Sequence, residues 1–230
     1  MSLSSPVEAS PAVLRIDIVS DVVCPWCVIG YLQLRNALQQ FDGTGGSEEK
    51  VTVDLHWQPF ELNPNMPPEG QDLREHIAQK YGTPPGQGGG ARARLQEAGA
   101  SLGFEFNYAD DMRMVNTFRA HQLLYWAAQH GLQTELKLAL FEAFFTLGKD
   151  VSQTSVLVEV AANVGLAADD AEVLLSDQRY AQNIRNEQQR WLEQEVHAVP
   201  SFAFNQRYPV PGAQGESTFV RYIQRVLDRT

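Results

Sequence analysis

β-Strand signal in this chain sits only at its two ends. Near the start, "VLRIDIVSDVV" (13–23) and "VTVDLHWQPF" (51–60) alternate apolar with polar residues, are rich in β-branched side chains and read as strands. Near the other end, "VPSFAFNQRYPVPG" (199–212) returns to β character. Between about 72 and 196 strand signals nearly vanish and helical stretches follow one another, at 72–81, 91–103, 116–130, 133–147, 153–164, 169–176 and 178–195. The simplest architecture is one α/β domain built from residues 12–66 and 197–230, with a helical domain, 67–196, inserted into it. Residues 1–11 read as a disordered lead.

The first strand runs straight into "CPWC". From Pro25 the spacing of Val28, Ile29, Leu32, Leu34, Leu38 and Phe41 is helical, and proline is well tolerated in a first helical turn, where its missing N–H would be unpaired anyway. The Gly-rich "FDGTGGSEEK" ends that helix, and the second strand completes a strand–helix–strand unit. Asp72 with Glu75 has the pattern of a helix cap, and Asn116, Ser152 and Asp169 are placed to start later helices. The tract "YGTPPGQGGGARARL" (81–95) reads as a flexible connector; no Gly-Lys-Ser/Thr follows its glycines, which excludes a phosphate-binding loop. The amphipathic "ESTFVRYIQRVLDR" (216–229) closes the chain as a helix.

Composition narrows the function. A 230-residue chain that is 43% hydrophobic and 20% charged has an ordinary globular core. Its net charge of −10 argues against nucleic acid or an anionic membrane as the main partner. No apolar run is long enough to span a bilayer, and "MSLSSPVEASPAVLR" does not resemble a secretory signal. The expected location is cytoplasmic, where stable structural disulfides are rare.

That expectation bears on Cys24 and Cys27, the only two cysteines. A disulfide closing so short a loop removes little denatured-state entropy and is strained. Structural zinc wants four ligands, and none of the five histidines lies at short ligand spacing from another, so no metal is expected. Redox chemistry explains more. A sulfur at a helix start faces unpaired N–H groups and the positive end of the dipole, which lowers its pKa, and the thiolate is the attacking species. Cys27, one turn on, is placed to attack a mixed disulfide. Pro25 contributes no N–H and Trp26 offers a flat apolar contact or packs against the inserted domain. Downstream, Pro200 precedes an apolar strand. An ordinary trans proline opening the strand is the plainer reading; a cis Val199–Pro200 bond would instead expose a backbone edge to a peptide or glutathione.

The segments "CPWC", "WQPFELNP", "MVNTFRAHQLLYWA" and "VPSFAFNQRYPVPGAQ", with the split βαβ–helices–ββα order, resemble the DsbA-like thioredoxin family, in particular its FrnE-like members, relatives of the 2-hydroxychromene-2-carboxylate isomerases. The resemblance, from about residue 13 to the C-terminus, implies a thioredoxin fold with a helical insertion and thiol–disulfide oxidoreductase activity. By motif position Cys24 matches the family's nucleophile, Cys27 its resolving cysteine, and Val199 and Pro200 its cis-proline pair. Two departures stand out. The carboxylate often buried six residues before the nucleophile is replaced by Ile18, with Asp17 beside it on the opposite strand face, leaving Asp21 as the nearer candidate for proton management or for satisfying the strand–helix turn. The best-known members are periplasmic, whereas this chain shows no export signal.

Further candidates are His197, three residues before Pro200, as a hydrogen-bond partner near the sulfurs or a helix C-terminal cation, and Asn116 in a stretch resembling the family's "N-T-x-x-A-H" helix. His121 of that helix reads as a satisfied core residue. Gly212 and Gln214 of "PGAQG" could approach a glutathione carboxylate or form a plain turn. Phe141, Phe144 and Phe145 read mostly as core; exposed, they would bind unfolded chains. No tightly bound cofactor is implied beyond the redox-active disulfide, with glutathione as a possible co-substrate and disulfide or dithiol compounds as partners. The competing readings are a glutathione-dependent isomerase or kappa-type glutathione-transferase-like enzyme, whose relatives typically carry serine at the position of Cys24, and a polypeptide-binding chaperone.

Overall fold

The fold follows from a central strand that is largely buried on both faces. In the computed structural model, which describes residues 12–41, 51–82 and 89–229, β1 (Ala12–Ser20) runs parallel to β2 (Val51–Pro59) and antiparallel to β5 (Ser201–Phe204), and β6 (Arg207–Pro211) pairs with β5, giving the order β2-β1-β5-β6. Both chain ends thus supply neighbours of β1. The lead, 1–11, and all of the Gly-rich loop after Phe41 (42–50) lie outside the described residues.

On one face of β1, Leu14, Ile16 and Ile18 are fully buried. They pack in the core that includes α1 (Pro25–Leu38) and α9 (Glu216–Leu227), where Phe202 meets Phe219 edge-on with ring centroids 4.8 Å apart. On the other face Val19 joins Ala203, Val196 and Trp191 in a smaller cluster. Asp17, also on this second face, is buried and held by Arg15 and by Gln58, whose Nε2 donates to Oδ1 at 2.7 Å.

β1 stops at Ser20, three residues short of the expected strand end, because Asp21 begins a turn in which the Cys24 N–H donates to the Asp21 carbonyl at 3.3 Å. The expected strand at 199–212 is a hairpin: Asn205 and Gln206, both at positive φ, turn the chain between β5 and β6.

Between β2 and β5 the chain is mainly helical. α2 (Leu73–Tyr81) is capped by Asp72, whose side chain accepts from the N–H groups of Arg74 and Glu75. α3 (Gly89–Ser101) begins inside the tract read as a connector; the described part of that glycine run is helix, in a turn followed by the strong formers Ala, Arg and Leu. α4 (Phe118–Gln129), α5 (Gln133–Phe141), a π-helical turn (Glu142–Thr146), α6 (Thr154–Asn163), α7 (Ala168–Asp177) and α8 (Ala181–Glu193) complete the set. Ser152 and Asp169 do not cap: the cap positions are Gln153 and Ala167, and Asp169 lies within the first turn of α7. A small ladder with no sequence periodicity, β3 (Gln71–Asp72) with β4 (Arg113–Met114), ties the start of this region to the segment before α4. Helices α4, α5 and α8 all contact β2, so they back directly onto the sheet.

Candidate active site

Cys24 is the N-cap of α1, with extended φ −98° and ψ 110°, and Pro25 occupies the first helical position. The Cys27 N–H donates to the Cys24 carbonyl at 3.1 Å. Both cysteines are reduced and their sulfurs lie within hydrogen-bonding reach. Cys24 is 4% exposed and Cys27 fully buried, whereas Trp26 between them is 49% exposed. Of the two sulfurs, Cys24 is therefore the one nearer the surface.

Across from them lies the far end of the chain. The Val199–Pro200 bond is cis, and the Cys24 Sγ donates to the Val199 carbonyl at 3.8 Å. The Pro200 carbonyl accepts from the Gly212 N–H at 2.7 Å, which anchors the prolyl turn to β6. The close fit of α1 to this turn depends on Gly30: a Cβ there would stand 3.0 Å from Phe202 and 3.1 Å from Pro200.

The helix start does not produce the lowered thiol expected of it. The hydrogen bond to the Cys27 sulfur, burial, and the charges of Cys27 and Asp21 push the Cys24 thiol well above the ordinary cysteine range, and only the Cys27 backbone N–H pulls it down.

Asp21, fully buried, accepts the Leu62 N–H at Oδ2 (2.7 Å) and has Oδ1 3.3 Å from Nε2 of the buried His121. Burial raises its pKa, but the hydrogen bond and charge of His121, the Leu62 N–H and the charge of Lys137 outweigh it, so the carboxylate titrates below its ordinary value. Asp21 thus satisfies the turn and also carries a charge beneath α1.

The remaining candidates lie apart from the sulfurs or are already engaged. His197 is exposed and bonds to neither sulfur. Asn116 accepts the Phe118 N–H at 3.0 Å and donates to the Met66 carbonyl at 3.5 Å. In "PGAQG", the Gly212 N–H is taken by Pro200, the Gly215 N–H by Gln33 Oε1 at 3.0 Å, and the Gln214 amide folds back on the Pro211 carbonyl. Phe141, Phe144 and Phe145 are buried, so these rings offer no surface for unfolded chains.

Sequence reasoning passed over Lys137. It is 1% exposed, and its Nζ lies 5.3 Å from the Trp57 ring centroid and 5.0 Å from that of Phe141. Burial pushes it down to about 8, against the raising charges of Cys27, Asp21 and Cys24. A signal existed: with Leu140, Phe141 and Phe144, Lys137 falls at i, i+3, i+4, i+7 on one apolar stripe, where a lysine is out of place.

The DSBA-like thioredoxin domain family matches residues 15–224. The uncharacterized protein YwbO of Bacillus subtilis is 24% identical over 212 residues, 91% of this chain and 96% of its own. A probable DsbA oxidoreductase from Streptomyces coelicolor superposes with a TM-score of 0.85 at 27% identity, covering 94% of this chain and 91% of its own. The cytosolic disulfide reductase DsbM of Pseudomonas aeruginosa, also solved with GSH, shares the fold with a TM-score of 0.62 at 16% identity, covering 94% of this chain and 100% of its own.

Proposed function

Because the chain belongs to the DsbA-like thioredoxin family of disulfide oxidoreductases and isomerases, we propose that it exchanges disulfides through Cys24 and Cys27 by way of a mixed disulfide. The observation that carries the reading is the placement of two reduced sulfurs at one helix start, the outer one bonded to Val199 beside Pro200. In the reducing direction, the Cys24 thiolate attacks one sulfur of a substrate disulfide, and the other sulfur leaves as a thiolate. Cys27, deprotonated, then attacks Cys24 Sγ. The bond to the substrate breaks, the second substrate thiolate leaves and takes a proton, and two electrons have passed to the substrate as the Cys24–Cys27 disulfide forms. The reverse sequence oxidises a dithiol.

In this reading Pro25 and Trp26 shape the rim around Cys24, and the backbone at Val199 and Pro200 receives an extended substrate segment by strand addition. Glutathione is a fitting co-substrate, and a cytoplasmic setting belongs to the same proposal. None of the described helices is long and apolar enough to cross a membrane. Retention of both cysteines favours exchange over the glutathione-dependent isomerase reading.

The test is reduction of insulin, or of a small aromatic disulfide, by the parent chain and by Cys24→Ser and Cys27→Ser. Loss of turnover in both, with Cys27→Ser accumulating a mixed disulfide on Cys24, is expected. Undiminished turnover by Cys24→Ser overturns the proposal.

A further inference from the structure

A cavity of about 430 Å³ lies between the sheet and the inserted helices, walled by β2, α4, α5 and α8, with Arg15 of β1 at one side. Its volume falls within the range of small-molecule sites, about 300–1,000 Å³. Neither cysteine lines it. Its lining runs from buried residues, Lys137, Leu124 and Ile184, to the exposed Ala128 and Gln129. One end is therefore closed and the other meets solvent.

The charges around this space are matched, with one exception. The Arg15 guanidinium donates to both oxygens of Asp17, at 3.0 and 2.9 Å. Arg190 pairs with Glu187 at 2.8 Å, and His56 lies 2.9 Å from the Asp54 carboxylate. His121 lies 3.3 Å from the carboxylate of Asp21, whose other oxygen takes the Leu62 N–H. Lys137 is the exception. It is 1% exposed, and no hydrogen-bond or ion-pair partner for its ammonium occurs among the described residues. The rings of Trp57 and Phe141 flank it, their centroids 5.3 and 5.0 Å from Nζ. Trp57 lines the same cavity, which puts the ammonium at its wall. Ring faces offset only part of the cost of burying a charge, so this ammonium calls for an anion.

We infer that the cavity binds a small organic monocarboxylate, its carboxylate at Lys137 and its apolar body against Leu124, Ile184 and Pro59. One unpaired positive charge selects one negative charge. A dianion such as a phosphate monoester would bring surplus charge beside Asp17 and Glu187. The two guanidiniums that could clamp it are already engaged by those carboxylates. The apolar walls favour an organic anion over an inorganic one, because only the former has apolar surface to bury. The site is separate from the sulfurs, and the inference does not rest on the disulfide-exchange reading.

The test is calorimetric titration of the full chain with benzoate, phenylacetate and hexanoate, and with benzamide and phenylacetamide as neutral counterparts. At least one carboxylate should bind at one site with a Kd of about 1 mM or tighter, and its amide far more weakly. Lys137→Met should weaken that carboxylate roughly thirtyfold or more, from loss of one partner of a buried charge pair. Ala128→Trp, which keeps the ammonium and fills the open end from an exposed position on α4, should abolish binding. Circular dichroism confirms that each variant is folded. The inference is overturned if no carboxylate saturates the parent chain. Undiminished carboxylate affinity in folded Lys137→Met, or in folded Ala128→Trp, overturns it as well, whether or not the chain reduces disulfides.

Discussion

Gln133 bonds to both backbone groups of Trp57: the Trp57 N–H donates to its Oε1 at 2.9 Å, and its Nε2 donates to the Trp57 carbonyl at 3.0 Å. β2 is an edge of the four-stranded sheet, and one amide side chain here stands in for the next strand. Thr134 adds a bond to the Trp57 indole at 3.0 Å, so the start of α5 is fastened to the sheet at one residue. Gln133→Ala leaves two partly buried backbone groups unpaired and should destabilise by about 1–3 kcal/mol. A denaturant midpoint lowered at unchanged m-value checks it.

Gly30→Ala should be costly for its size. The added methyl meets Phe202 at 3.0 Å and Pro200 at 3.1 Å, and the helix and strand both have to give. Overpacking of this kind costs about 1–3 kcal/mol. Because one of the displaced atoms belongs to Pro200, turnover should fall more than the thermal midpoint alone predicts. Activity measured well below the melting temperature separates the two effects.

Lys137→Met should stabilise the protein, and the gain should depend on pH. The folded ammonium titrates at about 8 and the unfolded one at 10.5. Below pH 8 both states are charged and the fold bears the whole cost of desolvation. Between the two values the folded chain releases its proton first, so the cost is relieved as pH rises, and above 10.5 none is left. The variant's advantage, on the order of 3 kcal/mol at neutral pH, should therefore shrink across that window. Paired denaturant titrations at pH 7 and pH 10 check the sign.

Trp26→Ala removes an indole that is 49% exposed and should leave stability within about 0.5 kcal/mol of the parent. If the ring forms the rim against which a substrate packs, reduction of insulin should slow severalfold while reduction of a small aromatic disulfide is nearly unchanged.

Local signals made the frame legible. Alternation marked β1 and β2, the proline after Cys24 marked the start of α1, and each helix expected in the insert has a counterpart displaced by a few residues at most. The closeness of the two cysteines followed from their spacing. What could not be read was anything set by packing between elements. The direction of the Cys24 thiol depends on burial and on a second sulfur, both tertiary quantities, and they outweigh the helix start that the sequence makes visible. The ladder of Gln71–Asp72 with Arg113–Met114 is too short to carry a period. Asp21 and His121 lie in different motifs 100 positions apart, and their 3.3 Å approach exists only once α4 backs onto the sheet. Lys137 was visible as a misfit on an apolar stripe, but its partners were not.

The contact between Cys24 and Val199 joins residues 175 positions apart. A ribosome releases the thiols early and the carbonyl that faces them late, after the whole helical region has been made. For most of its synthesis the nascent chain therefore carries the two sulfurs without the prolyl turn that faces them in the fold. On the proposed disulfide-exchange reading, the wall opposite the sulfurs is complete only when the last strands arrive.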